Sequence, residues 1–177
     1  MTSQSTLLGA AGEFHVMAEL LRRDYIAALA PHGVPTADIV VMDLEGTRLC
    51  SIQVKTRRDI GTDGGWHMKA KHENVRGERL FYCFVDFGKS FSPAVVHVLP
   101  SDVVADALTV SHRKWLAKPG KGGQEHKDSE MRRLLPDYTR FFEVGENPYP
   151  RGWLDRYRDA WHLLNLERIS VAQQHKG

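Results

Sequence analysis

A short run at residues 51–56, with the sequence SIQVKT, restricts the fold more than any other part of the chain. Its composition predicts a buried strand, and the side chains of a strand alternate between its two faces. Ile52 and Val54 therefore point to one face, while Gln53 and Lys55 point to the other. An amide and a lysine where apolar residues are expected conflict with core packing, and such conflicts often mark a functional site.

The residues around this run predict an antiparallel meander. Residues 25–29 form a first apolar run, and Asp38 begins a second strand at residues 38–44. Glu45 and Gly46 then make a hairpin turn, which leads into a third strand at residues 48–56. Gln53 and Lys55 on the third strand are therefore expected to lie close to Asp38, where the second strand begins.

A helix over residues 9–23 precedes the meander. Its apolar residues recur at steps of three and four, as in an amphipathic helix. Glu13 lies four residues before Met17 and seven before Leu20, so it shares their inward side. An acid there has two interpretations, a member of a site or a first-turn acid that the helix dipole favours.

Glu13, Asp38, Gln53 and Lys55 together make a candidate catalytic site for phosphodiester hydrolysis. Mg²⁺ prefers hard oxygen ligands and keeps several waters. Asp38 is the expected direct ligand, with the side-chain oxygen of Gln53 and the backbone carbonyl of Val54 alongside. Glu13 completes the shell or binds through water. Lys55 orients the attacking water or stabilises the charge that develops on the phosphate. The expected cofactor is Mg²⁺ or Mn²⁺.

Two further residues compete for roles at this site. If the strand register turns Asp38 outward, alternation over five residues points Asp43 inward instead. Asp38 is preferred because it lies where the strand begins. His67, in the polar segment after the third strand, is a candidate for reaching the scissile phosphate.

Three ordered motifs occur within residues 9–56. They are Gly9-x-x-Gly12-Glu13 at the start of the helix, Pro35-Thr36-Ala37-Asp38 at the start of a strand, and Gln53-Val54-Lys55 on the next strand. In this order they resemble the PD-(D/E)XK nuclease superfamily. The opening is most similar to archaeal Holliday-junction resolvases, and the third motif is similar to Mrr-type restriction endonucleases, which indicates a bacterial branch of the superfamily.

The resemblance covers roughly residues 9–110. It implies an α/β, restriction-endonuclease-like fold, in which a helix, a three-stranded meander and further strands build a mixed central sheet flanked by helices. It also implies a metal-dependent endonuclease that acts on DNA, with Asp38, Gln53 and Lys55 as the core triad. Gln53 replaces the more common acid of the superfamily. This leaves two alternatives, a non-catalytic module that binds nucleic acid or protein and a defence-associated RNase.

The charge is unevenly distributed along the chain. Residues 1–50 are net acidic, whereas residues 51–79 and 111–140 are net basic. The basic stretches either contact phosphates or are ordinary solvated faces. The candidate nucleic-acid contacts are Arg57, Arg58, Lys69, Lys71, Lys114, Lys118 and Lys121, with Trp66 as a stacking side chain.

The length of 177 residues predicts a single domain, residues 1–177, with a nuclease-like core at about 9–110. A C-terminal extension at residues 111–171 is expected to be helical with a basic loop. The other expected elements are an irregular polar segment at 57–79, strands at 80–85 and 94–99, a helix from 101 to about 108, and helices at 128–135 and 154–166.

Composition limits the setting in which the chain works. Cys50 and Cys83 lie in apolar runs and are expected to be buried core thiols. No apolar run approaches the ~20 residues that cross a bilayer, and residues 1–6 lack a signal pattern. A cytoplasmic protein with no membrane partner is therefore expected. DNA is the expected partner, and a homodimer suits a duplex or junction with two symmetric strands.

Overall fold

The computed structural model describes residues 3–31, 33–58, 64–89, 92–120, 122–143 and 145–164. Short 3₁₀ turns lie at Ala70–Glu73, Thr139–Phe141, Asp155–Tyr157 and Trp161–Leu164. None of the helices in these ranges has the length and apolar character that a membrane span requires. The helices and strands are α1 (Gln4–Leu21), β1 (Ile26–Leu29), β2 (Ile39–Met42), β3 (Arg48–Arg57), β4 (Trp66–Lys69), β5 (Leu80–Asp86), β6 (Val95–Pro100), α2 (Ser101–Ala117) and β7 (Met131–Leu134).

A five-stranded mixed sheet forms the centre of the molecule, with the strand order β1-β2-β3-β5-β6. Strands β3 and β5 are parallel, and the other neighbouring pairs are antiparallel. The predicted meander is confirmed as β1-β2-β3, and in its register Ile39 lies opposite Ile52. The predicted fold class, a mixed central sheet flanked by helices, is confirmed.

Each face of the sheet carries its own hydrophobic core. On one face, Ile52 and Val54 of β3 pack with Val16 and Leu20 of α1. The predicted core thiols Cys50 and Cys83 are free and buried in this same core. The second core lies under α2 and contains, among others, Tyr82, Phe84, Leu99, Val104, Leu108 and Leu134.

A second, two-stranded sheet is formed by β4 and β7, which pair in antiparallel register. The sequence predicted an irregular segment at 57–79 and a short helix at 128–135, so both predictions are wrong at these strands. Tertiary pairing overrides local propensity in strands this short. Burial alternates along both strands, with Trp66 and Met68 buried on β4 and Arg132 and Leu134 buried on β7.

The C-terminal part wraps around the β6 side of the sheet. A helix was predicted at 154–166, but the described part of that range forms two 3₁₀ turns separated by Asp159, whose φ is +48°. Asp159 N donates to Val96 O at 2.8 Å and so pins the chain to β6. Within this range, Leu154 and Tyr157 are buried in the second core, while Trp161 and Leu164 are buried in the first.

The outer face of α1 carries an exposed apolar stripe. Leu7, Phe14 and Leu21 occur at intervals of seven residues and are 62%, 57% and 51% exposed. Residues seven apart lie on the same side of an α-helix. The helix therefore has two apolar sides, one in the core and one facing solvent.

Candidate metal and phosphate site

Asp38 is held against the backbone of β3 just before β2 begins. Its N–H donates to Ile52 O at 2.9 Å, and its Oδ2 accepts from Val54 N at 2.7 Å. The N–H and C=O of one strand residue point to the same side, so the Val54 carbonyl also points toward this edge. The carboxylate and the carbonyl that were predicted as metal ligands therefore share one edge of β3.

Gln53 and Lys55 project from the face of β3 opposite to that of Ile52 and Val54, as the alternation of side chains along a strand predicts. Gln53 lies beside Tyr82 of β5 and Lys55 lies beside Phe84, in parallel register. Gln53 is only 7% exposed. Among the described residues, its Oε1 is one of the few buried polar side-chain atoms that have no hydrogen-bond partner. A bound ion is one of the partners that satisfy a buried oxygen of this kind, which agrees with the cation expected at this position.

The pKa of Lys55 is shifted by burial and by four charged neighbours. Burial lowers the pKa of Lys55, and the positive charges of Lys71 and Lys69 lower it further. The carboxylates of Asp38 and Glu13 oppose this shift. The structure therefore brings two acids and three lysines within electrostatic reach of one another.

Glu13 reaches this site because α1 approaches β3 closely. Burial raises the pKa of Glu13, the negative charge of Asp38 raises it further, and Lys55 lowers it. The preceding residue, Gly12, is buried against Thr56. A Cβ at Gly12 would lie 1.9 Å from Thr56 Oγ1 and 3.0 Å from Thr56 Cβ. Only a glycine lets the helix approach this far, and the approach places Glu13 beside Asp38 and Lys55.

Gly12→Ala is expected to destabilise the protein by about 1–3 kcal/mol, since the new methyl group forces α1 away from β3. Gly9→Ala is the matched control in the same helix, because a Cβ there meets no atom within 4 Å. It should stabilise the protein by up to about 1 kcal/mol through helix propensity. Urea unfolding of both variants measures the difference. Equal free energies of unfolding for the two variants would show that α1 and β3 are not in close contact at Gly12.

His72 belongs to the same neighbourhood, although no pattern in the sequence singles it out. It is 3% exposed, and its Nδ1 lies 2.8 Å from Tyr82 Oη. Burial lowers its pKa to about 4, with further lowering by Lys55, Lys71 and Lys69, so the ring is neutral at pH 7. Its partner Tyr82 is ten residues away in the sequence. The polar residues around His72 give no indication that its side chain is buried.

The two lysines after β3 lie near the site, whereas Trp66 does not serve as predicted. Lys69 and Lys71 are exposed. Trp66 is 1% exposed, and its Nε1 donates to Val85 O at 3.0 Å. The prediction of a base-stacking Trp66 is therefore wrong, because the indole is buried in the second core and the Arg57 guanidinium lies over its ring at 3.9 Å.

Other candidate contacts have protein partners in the structure. Arg57 donates to Asp86 Oδ2 from Nε and Nη2, at 2.9 and 2.6 Å. Lys114 lies on α2 and pairs with Glu146, while Lys118 donates to Arg140 O. Arg58 is exposed. Lys121 lies outside the described residues.

The rival candidates have other local roles. Asp43 Oδ1 accepts from Thr47 N at 2.7 Å in the hairpin between β2 and β3, at the end of β2 away from Asp38. His67 lies on the exposed side of β4, as does Lys69. The register therefore favours Asp38 over Asp43 as the acid beside Gln53 and Lys55.

In the described part of the chain, no three side chains of His, Cys, Asp or Glu lie close enough together to form a metal site. The candidate donor set has only two such residues, Glu13 and Asp38. Its remaining oxygens are the Gln53 amide and the Val54 carbonyl. These are hard oxygen donors of the type that Mg²⁺ and Mn²⁺ accept.

Two nucleases are among the solved structures that match this chain. A bacterial homing endonuclease is similar over 100% of both chains, with a TM-score of 0.50 and 17% identity. A Holliday junction resolvase from Archaeoglobus fulgidus matches over 78% of this chain and 93% of its own, with a TM-score of 0.41 and 15% identity. No protein-family model matches the chain, and no curated protein matches its sequence. The similarity to the homing endonuclease shows the fold.

Proposed function

We propose that the protein is a Mg²⁺- or Mn²⁺-dependent endonuclease that hydrolyses phosphodiester bonds in DNA, within the PD-(D/E)XK superfamily. The observation that carries the proposal is the buried, unpartnered Gln53 Oε1 on the strand face that also presents Lys55. The Asp38 carboxylate lies at the same edge of β3. The homing endonuclease that shares the fold has the same class of activity.

The candidate ligands differ in how they would bind the cation. Asp38, Gln53 Oε1 and the Val54 carbonyl would hold the cation directly, and Glu13 would bind through water. The bound cation supplies Lewis-acid activation of the phosphate and of the attacking water. The hydrogen bond from Val54 N fixes the Asp38 side chain, so little reorganisation is needed when the ligand arrives.

Lys55 supplies a positive charge where negative charge develops on the phosphate. A preorganised cation in a partly buried site stabilises that charge more strongly than water does. Lys69 and Lys71 extend the positive field outward from Lys55. They are exposed, so we assign them to the phosphates on either side of the scissile bond.

The metal site is tested by thermal melting with Mg²⁺ or Mn²⁺, on the wild type and on Gln53→Glu. A ligand that binds only the folded state at 100 times its Kd stabilises by about 2.7 kcal/mol. We expect the wild type to melt at a higher temperature with the cation. Gln53→Glu should show a larger rise, because it restores a third carboxylate. Gln124→Glu, an exposed change of the same kind, should respond as the wild type does.

Cleavage assays on duplex, branched and single-stranded DNA and on RNA then define the substrate. Cleavage of RNA alone would show that the protein is an RNase and not a DNA endonuclease.

A second candidate, a non-catalytic module that binds nucleic acid, is favoured by the amide at Gln53 and by the lack of a three-residue acidic or histidine cluster in the described residues. Binding without cleavage, together with no thermal shift in the wild type, would establish that module.

We further propose a homodimer, formed through the exposed stripe of α1. Leu7 and Leu21 are each seven residues from Phe14, so the stripe is symmetric about its centre. A two-fold axis at Phe14 would pair Leu7 of one copy with Leu21 of the other in antiparallel helices. An interface of this isologous type needs a self-complementary patch, and the spacing of the stripe provides one.

A further inference from the structure

The outer face of the second sheet carries four side chains, of which the mechanism above uses only one. Strands β4 and β7 place His67 opposite Arg133, and Lys69 opposite Met131. Burial alternates along each strand, so these four side chains lie on the outer side and their neighbours on the buried side. We call these four residues the ribbon face. Two of them are basic and none is acidic.

The register brings the four side chains close together. Ala70 N donates to Glu130 O at 2.9 Å, which continues the ladder of β4 and β7 by one residue. Hydrogen-bonded and non-hydrogen-bonded pairs alternate along an antiparallel ladder, and the side chains of the second type are closer. The two pairs of the ribbon face are of that second type. They form a patch about 5 Å across the strands and about 7 Å along them.

The outer edge of β7 is closed by side chains. The same alternation points Met131 O and Arg133 O away from β4. Arg132 Nη1 donates to Met131 O at 3.0 Å, and Tyr138 Oη donates to Arg133 O at 2.7 Å. An extended peptide binds a sheet by adding a strand to an open edge, and these two carbonyls are already bonded. A partner therefore reaches the ribbon through its face.

The buried side of the ribbon is anchored to the rest of the molecule. Trp66, Met68 and Leu134 belong to the second core. Arg132, which is 6% exposed, donates from Nε to Glu73 Oε1 at 2.5 Å. A two-stranded sheet is marginally stable alone, so the core and this ion pair hold it in place. Side chains on an anchored element lose less conformational entropy when a partner binds.

The ribbon face begins beside the candidate site. Lys69 lies within electrostatic reach of Lys55, as does the exposed Lys71 in the turn that follows β4. From Lys69 the face continues by two strand residues, about 7 Å, to His67 and Arg133. A duplex with its scissile phosphate at Lys55 would therefore pass along this face.

The shape and chemistry of the ribbon face match one groove of DNA. The major groove of B-DNA is about 12 Å wide and admits a two-stranded ribbon, whereas the minor groove is only about 6 Å wide. The positive charges of Lys69 and Arg133 complement the phosphates that border the groove. Arginine and histidine can hydrogen-bond to base edges. Met131 is 52% exposed and offers an apolar contact for a thymine methyl group.

We infer that the β4–β7 ribbon enters the major groove of duplex DNA beside the cut, with Lys69 on a backbone phosphate and His67 and Arg133 on base edges. The inference rests on the proposed endonuclease function, because that function places the phosphate at Lys55. It adds a duplex substrate and a groove from which the protein reads it.

A chemical footprint tests which groove is occupied. Dimethyl sulfate methylates guanine N7 in the major groove and adenine N3 in the minor groove, so one reagent probes both. After the wild type has been used to map the cut, the full-length protein is bound in EDTA to a duplex with guanines and adenines on both sides of that position. We expect guanine N7 to be protected beside the cut, with adenine N3 in the same stretch still reactive.

Two pairs of variants assign the footprint to the ribbon. Arg133→Glu and His67→Glu should lose the N7 protection, bind the duplex about tenfold more weakly and raise the KM for cleavage, with kcat nearly unchanged. Arg113→Glu and His162→Glu make the same changes at exposed positions outside the ribbon face and should keep the footprint. The two ribbon variants are independent, so either one serves if melting shows that the other is unfolded.

The possible outcomes separate this inference from the function on which it rests. A wild type that cuts DNA but protects adenine N3, or protects no guanine N7 beside the cut, would overturn the ribbon and leave the endonuclease intact. The same holds if the folded ribbon variants bind and protect as their controls do. A protein that neither binds nor cuts any nucleic acid would overturn the function and the ribbon together.

Discussion

Asp38→Asn is expected to lower the rate of metal-dependent cleavage by at least about 10²–10³-fold, the range seen when one group that stabilises the transition state is removed. The amide oxygen of asparagine can still accept from Val54 N, so the loop before β2 keeps its anchor. The charge that holds the cation is lost. The thermal shift with Mg²⁺ should disappear together with cleavage.

Asp43→Asn is the matched control for this change. Asp43 lies at the other end of the same short strand, and its Oδ1 accepts from Thr47 N, which an asparagine also permits. Its cleavage rate and its thermal shift should equal those of the wild type. If Asp43→Asn were inactive while Asp38→Asn retained activity, the metal would lie at the hairpin and the assignment would have to be reversed.

Lys55→Met is expected to lower the rate of cleavage at saturating DNA by a similar factor, about 10²–10³. Methionine keeps an unbranched side chain of comparable length but removes the charge beside Asp38 and Gln53. The thermal shift with Mg²⁺ should persist, because Lys55 is not a ligand. Retention of DNA binding with loss of cleavage is the specific expectation, measured by single-turnover kinetics and by binding titrations.

Lys69→Met provides the contrast. Lys69 is exposed on β4 and is assigned to a flanking phosphate. Its loss should weaken binding for all sequences and reduce the salt dependence of binding by about one counterion, with the rate at saturation nearly unchanged. If Lys55→Met and Lys69→Met had the same effect on binding and on rate, Lys55 would be a phosphate contact rather than a catalytic group.

The parts of the fold that the sequence predicted are those governed by local alternation. The period of two in residues 51–56 placed Gln53 and Lys55 on one face, and the hairpin at Glu45 and Gly46 placed β2 beside β3. Asp38 was preferred over Asp43 because it lies where the predicted second strand begins. These inferences depend only on residues that lie close together in the sequence.

The parts that were missed depend on contacts distant in sequence. Strand β7 was predicted as a helix because four residues carry too little periodicity, and only its pairing with β4, more than 60 residues away, reveals it. Trp66 was placed in a polar loop for the same reason, since Leu134 and Phe84 bury it. The burial of His72 required Tyr82, which no local pattern indicates.

Three consecutive residues of α1 face three different surroundings. Gly12 rests on Thr56, Glu13 lies near Asp38 and Lys55, and Phe14 is exposed to solvent. Successive residues of a helix are rotated by about 100°, so one rigid turn sets all three positions at once. A molecule that binds at Phe14 and shifts the helix also changes the separation of Glu13 and Asp38. If the proposed assembly through this helix shifts it in this way, binding of the second copy and binding of the cation are thermodynamically linked, and each changes the affinity of the other by the same factor.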